Sequence, residues 1–300
     1  MELWFTEKQL PALGITCRVT RALEVRKTEY QQLAVLETEP WGRMLVLDGM
    51  IQLTQADEFI YHEMLAHVPL AAHGRVRRVL VVGGGDGGTV REVLRHPGVE
   101  EVVLAEIDAE VVEVCRRFFP ETASCLDDPR VRLSIGDGIA HVAEHPATYD
   151  AILVDSTEPV GRAVGLFSRE FYASCRSALR PGGILAAQTE SPFYNKELIT
   201  RCSEAMRDVF GRAWLYLAPV PTYPSGLWSF TVASLGPDPS RPAADDGWAV
   251  PGLRYYSRAV HRAAFVLPPF VEALVAPGTD APASKSHRHA DLSRTEEGRL

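Results

Sequence analysis

Gly83, Gly85 and Gly88 occupy the run Gly-Gly-Gly-Asp-Gly-Gly with G-x-G-x-x-G spacing, directly after an apolar segment and before a helical one. Glycines there let backbone N–H groups approach a ligand at a helix start, as in nucleotide-binding turns. Glu106 closes the next apolar segment, eighteen residues after Gly88, where a carboxylate can accept both ribose hydroxyl hydrogens. Asp86 narrows the ligand: a carboxylate inside the loop repels a pyrophosphate and attracts a cation, which favours a sulfonium or ammonium nucleoside over a dinucleotide. Asp137-Gly138, ending a third segment, adds a carboxylate and a flexible backbone where an adenine could be gripped, although alone the pair would be an ordinary turn.

Asp155-Ser156-Thr157-Glu158-Pro159 follows a fourth apolar segment. Asp155 and Glu158, three apart and stiffened by Pro159, can face one cleft. An isolated pair would be a helix cap or a solvated turn, but these two share a sheet edge with Asp86, Glu106 and Asp137, where open α/β proteins bind ligands. Nucleoside binding beside clustered carboxylates points to transfer of a group onto an amine. His62-Glu63 with His67 resembles a zinc helix motif, but at about 100° per residue the two histidines stand roughly 140° apart, and zinc is rejected. Tyr223, held between Pro221 and Pro224, reads equally as a rigid turn or as a phenol aimed into a pocket.

The elements that must position these residues follow from periodicity. From Ile15 to Thr54 the chain reads as short strands, with Leu45-Val46-Leu47 before Asp48-Gly49 as a hairpin signal. Residues 57–70 carry apolar side chains at helical spacing, with one buried stripe. Apolar runs at 79–82, 102–105, 131–135, 151–154 and 184–187, separated by helical segments such as 109–118 and 169–179, predict a mostly parallel sheet covered on both faces. Segments 213–218 and 227–234 read as antiparallel edge strands, and 236–252 as a loop. The expected fold is therefore α/β, a Rossmann-like methyltransferase-type sheet with helices on both faces, preceded by a small antiparallel β domain. The expected division is a β-strand domain over 1–56, a catalytic domain over 57–276 with a connecting helix over 57–70, and a disordered tail over 277–300.

A chain of 300 residues, 46% hydrophobic, can bury a large core, and a net charge of -8 argues against a nucleic-acid partner, which needs clustered Lys and Arg. Five scattered cysteines without a CxxC pair fit a reducing, cytoplasmic location. No signal-peptide pattern and no apolar run of about 18 residues predict a protein neither exported by that route nor embedded in a membrane.

Tyr30-Gln31, Leu47-Asp48-Gly49, Asp57-Glu58-Phe59 with Tyr61-His62-Glu63, the glycine run with Arg91-Glu92, Asp155 to Pro159, Pro221 to Gly226 and His261 to Phe265 together resemble the polyamine aminopropyltransferases, in particular bacterial spermidine synthases. The resemblance runs from about Trp4 to Val271. It implies transfer of the aminopropyl group of decarboxylated S-adenosylmethionine, a co-substrate rather than a cofactor, to putrescine, giving spermidine and methylthioadenosine. By position in the motifs, Gln31, Gly83, Gly85, Glu106, Asp137 and Gly138 would hold the donor, with Asp86 near its cationic arm. Asp155 would accept the proton, with Tyr61, His62, Glu158, Gln188 and Tyr223 around the diamine. A homodimer or homotetramer is implied, and no metal.

The chemistry agrees, because an alkylamine of pKa about 10.4 is only about 0.04% neutral at pH 7, a cost of about 4.6 kcal/mol that desolvation and oriented hydrogen bonds reduce. Two positions depart from the family: Glu158 stands where many relatives have Asp, and Arg162 where they have Pro, so Arg162 is left out of the site. Trp228 reads equally as sheet core or as the far wall of the acceptor slot. The rival readings are an S-adenosylmethionine methyltransferase, which would consume the undecarboxylated donor, and a non-catalytic polyamine-binding protein, which would not turn over. A nicotinamide dehydrogenase ranks last because of Asp86.

Overall fold

Five strands pair as an antiparallel meander, β1 (Leu3–Leu10), β2 (Leu13–Lys27), β3 (Gln32–Thr38), β4 (Gly42–Leu47) and β5 (Met50–Thr54), with β4 buried on both faces from Met44 to Leu47. The computed structural model describes residues 2–10, 12–157, 161–243 and 250–276, with backbone alone at 161 and 162. Glu158, the side chain of Arg162 and the tail at 277–300 lie outside them. Asp48 and Gly49 take φ of 48° and 81° and join Leu47 to Met50, the two-residue turn that Asp-Gly favours. The sheet is longer than the reading from Ile15: it opens at Leu3, and β2 is one strand of 15 residues, kinked by irregularities between Val19 and Arg21 and between Ala22 and Glu24. β1 is an edge strand that leaves Leu3, Trp4 and Leu10 exposed, so it carries no clean alternation to read.

Helix α1 (Glu58–His73) follows, ending where Gly74 takes φ 75° and donates to the Leu70 carbonyl, a left-handed cap. Thirteen of its sixteen residues are buried, not one stripe, because it is packed between the N-terminal sheet and the second sheet in a shared core that includes Leu33, Leu45, Met64, Leu65, Val81 and Phe230. Its acidic residues must therefore be paired. Asp57, at its N-cap, accepts from Thr54 Oγ1 at 2.6 Å, from the Thr222 N–H at 2.9 Å and from Thr222 Oγ1 at 2.6 Å. Glu63 accepts the backbone N–H groups of Arg254, Tyr255 and Tyr256 at 2.8, 2.9 and 2.7 Å.

The second sheet has seven strands. β6 (Arg78–Gly83), β7 (Glu101–Glu106), β8 (Val131–Ile135), β9 (Tyr149–Asp155) and β10 (Leu179–Gln188) run parallel, and β11 (Trp214–Pro219) and β12 (Leu227–Ser234) close one edge antiparallel, in the order β11-β12-β10-β9-β6-β7-β8. The helices are α2 (Gly88–Leu94), α3 (Ala109–Phe118), α4 (Pro120–Ala123), α5 (Gly138–Glu144), α6 (Arg169–Ala178), α7 (Lys196–Phe210), α8 (Arg258–Ala264) and α9 (Pro269–Val275). Apolar residues of α6 and α7 pack with Leu80, Ile152 and Leu185 on the face opposite α1, so the sheet is covered on both faces, a Rossmann-like architecture. The order reverses beside β6, between β7 and β9, which opens a crevice at the carboxyl ends of these strands. No helix among the described residues is long and apolar enough to cross a membrane, and all five cysteines are free thiols.

Glu63→Ala leaves three backbone donors without their acceptor, and we expect a loss of about 2–4 kcal/mol in urea unfolding. A loss below about 1 kcal/mol would show that the 254–256 segment needs no such clamp.

Candidate active site

The crevice is set by register. Gly83 pairs with Asp155 across β6 and β9, so the glycine loop and the Asp155 carboxylate leave neighbouring strands side by side. Gly83 and Gly84 have φ of 78° and 73°, where side chains are disfavoured. A Cβ on Gly84 would lie 2.5 Å from Asp155 Oδ2, one on Gly85 3.0 Å from Glu106, and one on Gly88 would overlap the His62 ring. The glycines make room for three of the protein's own side chains as well as for a ligand.

A cavity of about 490 Å³ fills the crevice, lined by both sheets. At one end are Gln31, Gly85, Glu106, Asp137 and Gly138. Glu106 ends β7, accepting the Gly85 N–H at 3.1 Å and the Asp108 N–H at 2.9 Å. Burial raises its carboxyl to about 7 against those backbone bonds. Asp137 caps α5 through the Ile139 N–H at 2.8 Å, so it is a helix cap and a cavity wall at once. Gln31 reaches over from the N-terminal sheet and donates to Asp108 Oδ2 at 2.9 Å, as does Thr28 Oγ1 at 2.8 Å. Asp108 thereby fastens the N-terminal sheet to the loop after β7.

The other end holds Asp155, buried at the end of β9. Its Oδ1 accepts the Tyr61 hydroxyl at 2.8 Å and its Oδ2 the Thr89 hydroxyl at 2.7 Å. Burial and then Asp86 raise its carboxyl above the usual range, while His62, Thr89 and Tyr61 hold it down. Burial and the Asp155 charge push the Tyr61 phenol well up, so it stays a donor. Tyr223 meets Tyr61 edge to face at 5.6 Å and donates to the Gln52 carbonyl. Gln188 Nε2 donates to the Ser156 carbonyl at 3.0 Å. Trp228, 3% exposed, belongs to the core cluster and also lines the cavity, its ring 4.7 Å from that of Tyr223.

His62 sits between two carboxylates. Its Nδ1 meets Glu58 Oε2 at 2.6 Å and its Nε2 meets Asp86 Oδ1 at 3.3 Å. Burial pushes the ring pKa down but is outweighed by Asp86, Glu58 and Asp155, which bring it to about 9. Ligand-type atoms of His62, Asp86 and Asp155 lie within 4.8 Å of one another. A His62 ring protonated at both nitrogens would have no lone pair for a metal. His67 faces elsewhere, 3.0 Å from Glu92 and 2.9 Å from His96.

Sequence reasoning missed four side chains. Thr89, Glu58 and Arg91 stand behind the cavity and act on its wall. Glu190 lines it, 2% exposed, with φ 71° and its Oε1 3.3 Å from Gln188 Nε2. The rule that singled out Asp155, an acid just past a parallel strand, finds Glu190 past β10 as well.

Residues 58–240 match the family model described as the spermine/spermidine synthase domain, and residues 3–55 that of the spermidine synthase tetramerisation domain. The chain belongs to the spermine/spermidine synthase family. It is 50% identical over 275 residues to a polyamine aminopropyltransferase of Bacillus mycoides, covering 92% of this chain and all of that one. To the polyamine aminopropyltransferase of Moorella thermoacetica it is 52% identical over 272 residues, 90% of this chain and 95% of that one. Among solved structures, a spermidine synthase in complex with the transition state analogue AdoDATO superposes with a TM-score of 0.87 at 38% identity, over 91% of this chain and 94% of that chain. Spermidine synthase from Thermotoga maritima gives 0.84 at 36%, with the same coverage.

In this member of the spermine/spermidine synthase family the His62 ring fills the space that a side chain on Gly88 would need. Gly88→Ala should cost about 1–3 kcal/mol, and most of that cost should vanish in a His62→Ala background. A double-mutant cycle with coupling under about 0.5 kcal/mol would show that the ring is not the obstacle.

Proposed function

We propose that the chain is a spermidine synthase, transferring the aminopropyl group of decarboxylated S-adenosylmethionine to putrescine. The observation that carries this reading is a buried carboxylate, Asp155, in a cavity that is also lined by Gln31, Glu106 and Asp137 and by Tyr61, Gln188 and Tyr223. Gln31, Gly85, Glu106, Asp137 and Gly138 would hold the nucleoside of the donor. Asp86 would face its cationic arm, with His62 positioning Asp86. The slot bounded by Tyr61, Gln188, Tyr223 and Trp228 would take the diamine.

The step is a direct displacement. The lone pair of a neutral amine attacks the aminopropyl carbon bonded to the sulfonium, a C–N bond forms, and the C–S bonding electrons stay on sulfur, leaving neutral methylthioadenosine. The proton released from nitrogen passes to Asp155. The sulfonium is already an activated leaving group, so no resident cofactor or metal takes part in this scheme. Tyr61, donating to one Asp155 oxygen, and Thr89, donating to the other, fix the carboxylate plane so that a remaining lone pair can meet the amine. Glu190 would bind the far ammonium and so set the acceptor's length.

The tetramerisation-domain match over 3–55 and the exposed Leu3, Trp4, Leu10 and Leu13 support assembly as a homodimer or homotetramer through the N-terminal sheet. Five free cysteines are consistent with a cytoplasmic location.

An acceptor panel with decarboxylated donor, read as methylthioadenosine release, should rank putrescine first; turnover with S-adenosylmethionine instead would make the chain a methyltransferase. Asp155→Asn should lower kcat by about 10²- to 10⁴-fold while methylthioadenosine still binds; a loss under threefold would remove Asp155 from the proton's path. Glu190→Gln should raise the KM for putrescine by about 10- to 100-fold with kcat little changed, and an unaltered KM would place the far ammonium elsewhere.

A further inference from the structure

Behind the cavity, a charged chain runs from the catalytic carboxylates into α2. Arg91 grips Glu58 with both terminal nitrogens, at 3.0 Å to Oε1 and 2.9 Å to Oε2, and its Nε meets Glu92 at 2.7 Å. Glu58 Oε2 is the oxygen that meets His62 Nδ1. Glu58 and His62 are one helical turn apart on α1, and Arg91 is on α2, whose first glycine, Gly88, packs against the His62 ring. None of this needs a ligand. Neither Glu58 nor Arg91 lines the cavity.

We infer that Glu58 and Arg91 are positioning residues: together they help keep the His62 ring protonated at both nitrogens, so that it points an N–H at Asp86 and holds a positive charge beside the Asp155 carboxylate in a buried pocket. The forked Arg91 contact accounts for the direction of the effect. A carboxylate as enclosed as Glu58 would otherwise take a proton itself and leave His62 neutral. Against burial, His62 itself and then Arg91 hold Glu58 charged, with a carboxyl at about 2, and Glu58, after Asp86, holds His62 charged. The groups facing His62 are Glu58 and Tyr61 from α1, Asp86 from the glycine loop and Asp155 from β9. Glu58 is the one among them that Arg91 grips and that stands outside the cavity. Substrate can therefore neutralise Asp86 or Asp155 without displacing the support of the ring.

The inference rests on the aminopropyl-transfer reading for its consequence, but its first test needs no turnover. In the unmodified protein, nitrogen NMR of His62 should show both ring nitrogens protonated at pH 7.5, with deprotonation near pH 9. A neutral ring at pH 7.5 overturns the inference. In Glu58→Gln the ring should titrate about one to three pH units lower, and the acid limb of kcat/KM for the diamine should move to higher pH as Asp155 becomes easier to protonate. Arg91→Met should shift both in the same direction, and Arg91→Lys, which keeps the charge but loses the fork, should restore only part of the effect. A variant that folds and leaves both the ring and the acid limb within about 0.3 pH unit of the parent overturns the inference. Should Glu58→Gln fail to fold, the Arg91 pair and the parent's own titration still decide. If His62 behaves as expected but no aminopropyl transfer occurs, the proposed function falls and the proton-holding role stands. If transfer occurs with a neutral His62, only this inference falls.

Discussion

A helix buried on nearly all sides cannot leave a carboxylate unpaired, and α1 carries three in its first turns: Asp57 at the cap, Glu58 and Glu63. Each pairing fastens a different part of the chain. Asp57 draws in Thr222, next to Tyr223 in the turn before β12. Glu63 gathers the backbone at 254–256, and Glu58 ties the helix to α2. Tyr61 and His62, on the same stretch, reach Asp155 and Asp86. The helix is thus a frame whose buried charges place the turn behind the slot, the base of the glycine loop and the cavity wall relative to one another. Replacing any of these acids leaves partners, not just a gap, without compensation.

The glycine loop takes on a second meaning in that frame. In a dinucleotide-binding fold such glycines let the backbone approach a pyrophosphate. Here Gly84, Gly85 and Gly88 stand where Asp155, Glu106 and His62 need the room. Asp86, within the same loop, contacts His62 and also accepts the Gly88 N–H at 2.8 Å. An acidic residue inside the loop is tolerated because a cation is packed against it.

The parallel sheet was readable because strands covered on both faces are apolar throughout, as at 79–82 and 151–154, and the residues ending such strands fall by topology into one crevice. Gly83, Glu106, Asp137 and Asp155 all follow that rule. What escaped lacks a local signal. β1 is an edge strand with exposed apolar residues and no alternation. Thr89, Glu58 and Arg91 sit on helices, where a charged or hydroxyl residue reads as an ordinary solvated position unless the burial of the helix is known. The partner of Tyr223 is the backbone carbonyl of Gln52, which any residue would supply, and Glu190 adopts a positive φ usually marked by glycine. Periodicity reads what faces the core; it is silent on what stands one bond behind a site.

Charge balance links these layers. Burial and the nearby Asp86 charge raise the Asp155 carboxyl, and a proton taken up there would blunt Asp155 as an acceptor. An ammonium could suppress that uptake only while bound. A permanent cation in the wall does so in the empty pocket too, provided its charge does not depend on substrate. His62 meets that condition because its counterion, Glu58, is anchored by Arg91 outside the cavity. Among these five groups three carboxylates face two cations. The remaining negative charge lies toward the cavity and suits a positively charged ligand. A second cation in the wall would cancel that attraction, and none at all would let the carboxylates protonate. One buried imidazolium, braced from behind, lies between those failures.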